Sequence, residues 1–151
     1  MGFFSKTCEY GLRAVFYIAY HADHQKKVGI KEVAKEVDSP EHFLAKILQE
    51  LSRKGIIQSA KGPHGGFYLN DESLQRPIAD IVEALDGGQI FTGCALGLDH
   101  CSAKNPCPLH HQIVEIRGQL HQIMRSTKIE EFNTALQTGL FTLKNAPDRS
   151  K

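Results

Sequence analysis

The chain has 151 residues, 41% hydrophobic and 23% charged, enough to bury one core without disulfide or metal staples. Its net charge of +1 is too small to announce a polyanionic partner by itself. No apolar run approaches the roughly 18 residues of a membrane span, and the start Met1-Gly2-Phe3-Phe4-Ser5-Lys6 matches neither a secretory nor a myristoylation pattern. A cytoplasmic protein with no membrane partner is expected, in a compartment where thiols stay reduced.

In chain order, Ser5 is placed to cap a helix reaching about His24, with Cys8, Leu12, Val15 and Ala19 on a stripe widened by Phe16 and Ile18. A short amphipathic helix is predicted over 30–37. Asp38-Ser39-Pro40 then marks a boundary, with Ser39 as N-cap and Pro40 at the first helical position. The next helix, 40–54, turns Phe43, Leu44, Ile47, Leu48 and Leu51 inward and stops at Gly55. Strands over 56–60 and 66–70 flank the turn Lys61-Gly62-Pro63-His64-Gly65-Gly66, which makes a β-hairpin. After Pro77 a helix carries Ile78, Ile81, Val82 and Leu85 inward and closes at Gly87-Gly88.

Residues 26–66 hold eight Lys/Arg against five acids, whereas residues 67–100 hold one against six. A basic half beside an acidic half is consistent with one face made for polyanions. Helix, short helix, tight turn, helix and hairpin is also the order of a winged helix-turn-helix, whose second helix of the motif enters the major groove. Ser39 and the outward positions Glu41, His42, Ala45, Lys46, Gln49 and Arg53 form a face compatible with base edges and phosphates. Lys61, Gly62 and His64 at the wing tip allow close backbone approach to phosphate.

Three of the four cysteines lie in one loop, Cys94, Cys101 and Cys107, spaced C-x6-C-x5-C, with His110 three residues beyond. Thiols gathered in a Gly/Asn/Pro-containing loop point to a metal centre or a redox switch rather than to packing. Cys8 reads as a packed core thiol. A long helix follows over 108–126, where Ile113, Ile116, Leu120 and Ile123 form a narrow seam suited to a second helix, either in a dimer or in this chain. Thr127-Lys128-Ile129-Glu130 reads as a capping box opening a last helix, with disorder from Asn145 onward.

The stretches Glu9-Tyr10-Gly11-Leu12-Arg13-Ala14, Pro40 to Leu48, Lys61 to Leu69 and Ile81 to Gly87 resemble the Rrf-two family of bacterial winged-helix regulators, in its IscR- and NsrR-like iron–sulfur branch. The resemblance covers roughly residues 3–125, and the wing is its most specific piece. It implies a homodimer on a dyad-symmetric operator of double-stranded DNA, with the long helix as the dimer seam. It also implies an iron–sulfur cluster, [2Fe-2S] or [4Fe-4S], on Cys94, Cys101 and Cys107. Glu9, reaching across the dimer, matches the carboxylate ligand of one group of members, and His110 matches the histidine ligand of another. The chain departs from the common pattern at Lys61, where Arg is usual, at His64, where Gly is usual, and in its first cysteine gap of six rather than five.

The expected protein is mainly α with a small β-hairpin wing. A winged helix-turn-helix domain spans 1–88, a cluster-binding loop 89–107, a dimerisation helix 108–126, and a C-terminal helix and tail 127–151. The expected function is a cluster-switched transcriptional regulator and not an enzyme. The alternatives are a zinc site of Cys94, Cys101, Cys107 and His110, a bare thiol switch, a DNA binder whose cysteines play no part, or a metalloenzyme or electron carrier on a helix-turn-helix-like fold.

Overall fold

The computed structural model describes residues 3–23 and 25–145. The expectations for His24 and for the segment past Asn145 therefore lie outside the described residues.

Helix α1 (Lys6–His21) is capped by Ser5, whose hydroxyl accepts from the Cys8 N–H at 3.1 Å. It buries Cys8, Gly11, Ala14, Val15, Tyr17, Ile18 and Ala19, and so forms the spine of the core. A methyl group at Gly11 would lie 2.3 Å from Leu85 Cδ1 and 3.2 Å from Ile47 Cγ2, so this glycine lets two neighbouring helices close on α1.

Helices α2 (Ile30–Glu36) and α3 (Glu41–Arg53) form the helix-turn-helix. Their turn contains Asp38 at φ 54, and Arg13 of α1 steadies it by donating to the Val37 carbonyl at 2.8 Å. Pro40, not Ser39, takes the N-cap place, because its ψ of 129° keeps it extended while its carbonyl accepts from Leu44 N–H at 3.0 Å. The Ser39 hydroxyl instead donates to the Pro40 carbonyl. Leu44, Ile47, Leu48 and Leu51 are buried as expected, but Phe43 is exposed and packs edge-on against Tyr10 with ring centroids 5.7 Å apart. Gly55, at φ 77, ends the helix.

Strands β1 (Gln58–Ala60) and β2 (Gly66–Tyr68) pair antiparallel, with Ser59 opposite Phe67. Both are shorter than predicted. Ile56, Ile57 and Leu69 turn into the core, and Asn70 becomes the cap of a short helix α4 (Asp71–Leu74), accepting from Ser73 N–H at 2.8 Å. A bridge from Val28 to Phe67 adds a third edge that the alternation pattern did not signal.

Helix α5 (Ile78–Asp86) packs on α1, and Gly87 terminates it at φ 76. The first residues of the expected cysteine loop form a short helix α6 (Gln89–Thr92). Helix α7 (His110–Ser126) follows the loop. A 3-10 turn (Ile129–Phe132) and α8 (Asn133–Gln137) return to α1 and place Ile129 in the main core. The cap here is Lys128, whose N–H donates to the Glu131 carboxylate. Thr127 is not the cap, because its hydroxyl donates back to the Ile123 carbonyl at 2.7 Å. Among the described residues no helix is long and apolar enough to cross a membrane.

The seam of α7 is divided. Leu120, with Met124, packs against Cys8, Ala79, Val82 and Phe91 of the same chain. Ile116 and Ile123 are each 58% exposed, and Ile113 is half-buried.

Candidate cysteine site and DNA-facing surface

Helix α3 turns one apolar face to the core and leaves Glu41, His42, Lys46, Gln49 and Arg53 exposed, with Ala45 half-buried among them. Arg53 is held along the helix by Glu50, which also pairs with Lys54 at 3.3 Å. Those two cations hold the Glu50 carboxyl below its usual range, with Arg53 the larger influence. Ser39 is half-buried at the turn. In the wing, Lys61, Gly62 and His64 are exposed, and Gly62 at φ 101 accepts from Gly65 N–H at 2.9 Å to close the tip. The β2 residue Gly66 has φ 141, and a Cβ there would lie 2.5 Å from the Val28 carbonyl oxygen, so the bridge to Val28 requires glycine.

The loop 93–109 connects α6 to α7. Cys94, Cys101 and Cys107 are all free and half-buried, whereas Cys8 is fully buried under α7. Burial, reinforced by Asp86 and Glu9, pushes the Cys8 thiol up to about 12, which makes it an inert packing group.

Cys94 opens a tight turn in which Gly97 N–H donates to its carbonyl at 3.0 Å. Backbone amides of Leu98 and Leu96, then the neighbouring Cys107 thiol, hold the Cys94 thiol below its usual range. Cys101 Sγ lies 3.3 Å from His110 Nδ1, at the buried start of α7. The Arg117 guanidinium, two turns further along α7, donates to Cys101 Sγ at 3.0 Å and to the Gly93 carbonyl. Its Nε is buried with no hydrogen-bond partner.

An open cavity of about 630 Å³ lies between the loop and α7, lined by Cys94, Cys101, Ile113, Ile116 and Arg117. His100 also faces it, and His111 packs edge-on to His110. Glu9 does not reach this cavity within the chain. It pairs with Lys6 at 3.3 Å and borders a different hollow, beside Arg13 and Asp38.

The loop therefore brings its donors together in pairs, Cys101 with His110 and Cys94 with Cys107. Among the described residues no three His, Cys, Asp or Glu side chains converge on a point that would hold one metal ion. That arrangement does not fit a closed tetrahedral zinc site, which needs four donors around a single ion. Thiolates with a histidine beside one of them are donors of the kind that would hold an iron–sulfur cluster, whose ligands are spread over more than one iron. Sequence reasoning missed Arg117. The available signal was a cation seven residues after His110, on the same face of the helix.

Two helices joined by a tight turn, followed by a two-stranded hairpin, define a winged helix-turn-helix protein. The chain belongs to the Rrf2 family: residues 4–134 match the family described as iron-dependent transcriptional regulators. A protein of Aquifex aeolicus (strain VF5), named as an HTH-type transcriptional regulator, is 37% identical over 140 residues, covering 91% of this chain and 96% of that one. The fold is similar to that of CymR (YrzC), the global cysteine regulator of B. subtilis, with a TM-score of 0.67, 20% identity and coverage of 89% and 98% of the two chains. It is also similar to T. potens IscR, with a TM-score of 0.68, 18% identity and coverage of 91% and 90%. The protein is thus a transcriptional regulator, not an enzyme, and its family implies DNA binding.

Proposed function

We propose that the protein is a cytoplasmic homodimer whose affinity for a dyad-symmetric operator is switched by an iron–sulfur cluster on Cys94, Cys101 and Cys107. The fourth ligand in this reading is His110 or, contributed by the second copy, Glu9. The observation that carries it is a loop with three free, half-buried cysteines, two of which, Cys94 and Cys101, line the cavity between that loop and α7. When bound, the cluster supplies a centre whose charge and integrity respond to redox conditions or nitric oxide.

The chain's own residues do the rest. Cys94 and Cys101 line the cavity. His110 and Arg117 bind the loop to α7. Exposed Ile116 and Ile123, with Ile113 and Leu120 beside them, offer the seam against a second copy. Lys46 and Gln49, flanked by Glu41, His42, Ala45 and Arg53, face base edges. Ser39, Lys61, Gly62 and His64 approach phosphate. Loop order, set by the cluster, biases α7 and through it the separation of the two α3 helices.

The closeness of Cys107 to Cys94 favours one second reading, a thiol switch without any cluster. In it an external oxidant such as a peroxide takes the two electrons and two protons released as these thiols join in a disulfide. Anaerobic purification with iron and acid-labile sulfide analysis separates the two. Iron and sulfide in wild type, lost in Cys94→Ala together with the switch in operator binding, supports the cluster. Metal-free protein that still loses operator binding on oxidation supports the thiol pair.

A further inference from the structure

Helix α7 meets the cysteine loop at its start and the winged module at its end, and the second contact is as specific as the first. Asp80, in the first turn of α5 and 21% exposed at its side chain, divides its carboxylate between two cations. Oδ1 accepts from Arg125, in the last turn of α7, at 2.9 Å, and Oδ2 accepts from Arg76 Nε at 2.9 Å. Arg76 then donates to the Gly55 carbonyl at 3.1 Å, at the residue where α3 stops. Main-chain bonds stitch the same place: Ile78 N–H to the Thr127 carbonyl at 2.9 Å, and Ile129 N–H to the Arg76 carbonyl at 3.0 Å. Lys54, just past α3, is fixed to α5 through the Ala84 carbonyl at 2.7 Å.

We infer that Asp80 is a positioning residue joining α7 to the C-terminal end of the recognition helix, so that displacement of α7 at the cysteine site moves α3. The inference rests on the switch proposed above. A carboxylate suits the role because a single anion holds two arginines that would otherwise repel each other. An asparagine of the same size offers one oxygen and no charge. Asp80 lies outside the recognition face of α3 and the wing, so its carboxylate reaches α3 through Arg76 and Gly55.

The test uses full-length protein, cluster-free and after anaerobic reconstitution with ferrous iron and sulfide, against a duplex that the protein selects from a random-sequence pool. Asp80→Asn and Arg125→Gln should each move the ratio of loaded to cluster-free affinities toward one by about twofold or more. Iron content should stay at the wild-type level, and the double variant should be no worse than Asp80→Asn alone. A purely structural role would instead weaken both affinities equally and leave the ratio unchanged, which overturns the inference.

Hydrogen exchange on cluster-free protein supplies a readout independent of the switch. Arg125→Gln should quicken exchange at Gly55 and Ile56, whose amides bond to Ser52 and Leu51 at 3.0 Å. Wild-type exchange rates there also overturn the joint. Equal loaded and cluster-free affinities in the unaltered protein would instead refute the switch, so the two failures are distinguishable.

Discussion

Arg117 holds Cys101 by its sulfur, at 3.0 Å, and with the same guanidinium holds the carbonyl of Gly93, the residue before Cys94. One side chain on α7 therefore ties both ends of the first cysteine interval to the helix. Residues that orient ligands in this way commonly change metal retention when removed. Arg117→Gln should keep the helical circular dichroism signal and lose iron to a chelator about 10- to 100-fold faster than wild type. Wild-type loss rates would show that the loop is held by its own turns.

The four cysteines should separate by reactivity. Cys8 is 0% exposed and its thiol is pushed up to about 12, so below that pH it stays neutral and shielded. Iodoacetamide at about pH 8 should add three groups to reduced, cluster-free protein, and a fourth only after unfolding. Mass spectrometry showing Cys8 modified in the native state would contradict its place under α7.

Gly66 is required by its φ of 141 and by the Val28 carbonyl oxygen, 2.5 Å from where a Cβ would stand. Gly66→Ala should destabilise the protein by about 1–3 kcal/mol in urea titrations, because the bridge to Val28 must open. Operator affinity should fall with it, since the wing is anchored there. Unchanged stability would mean that the bridge yields at no cost.

Ile116 and Ile123 leave an apolar strip in water beside the cysteine cavity. Wild type should sediment as a dimer, and Ile116→Glu with Ile123→Glu should give a monomer by sedimentation velocity. A wild-type monomer would show that this strip does not pair two copies. In the same preparations, Lys61→Ala should lower the salt slope of operator binding by about 1 while leaving sequence preference unchanged, as a phosphate contact does.

Local signals were legible where one residue type decides a boundary. Ser5 caps α1 through Cys8 N–H, and Gly55 and Gly87 end helices at positive φ, as their positions in the sequence predicted. Boundaries failed where two residues competed for one role. Pro40 took the N-cap from Ser39 because its extended ψ kept it out of the helix, and Lys128 displaced Thr127, whose hydroxyl found the Ile123 carbonyl. Asn70 shortened β2 because capping α4 outweighed one more rung of a two-stranded ladder.

Tertiary partners were the least legible. Phe43 fits the apolar period of α3, yet it lies against Tyr10 at the surface, and Ile129 belongs to a core formed about a hundred residues earlier in the chain. The cysteines and His110 stood out by spacing. Arg117 and Asp80 did not, because what distinguishes them is which atoms they reach across the fold.

In the proposed switch the cysteine site and the DNA-binding face exchange free energy. Its most direct test is the operator affinity of one anaerobic preparation with the cluster in place and after its removal, beside a variant in which Cys94, Cys101 and Cys107 are all alanine. The two wild-type affinities should differ by about 5- to 150-fold, the usual range for coupled sites, and the triple variant should behave as cluster-free protein under both treatments. Equal wild-type affinities in a preparation shown to contain iron and sulfide would contradict it.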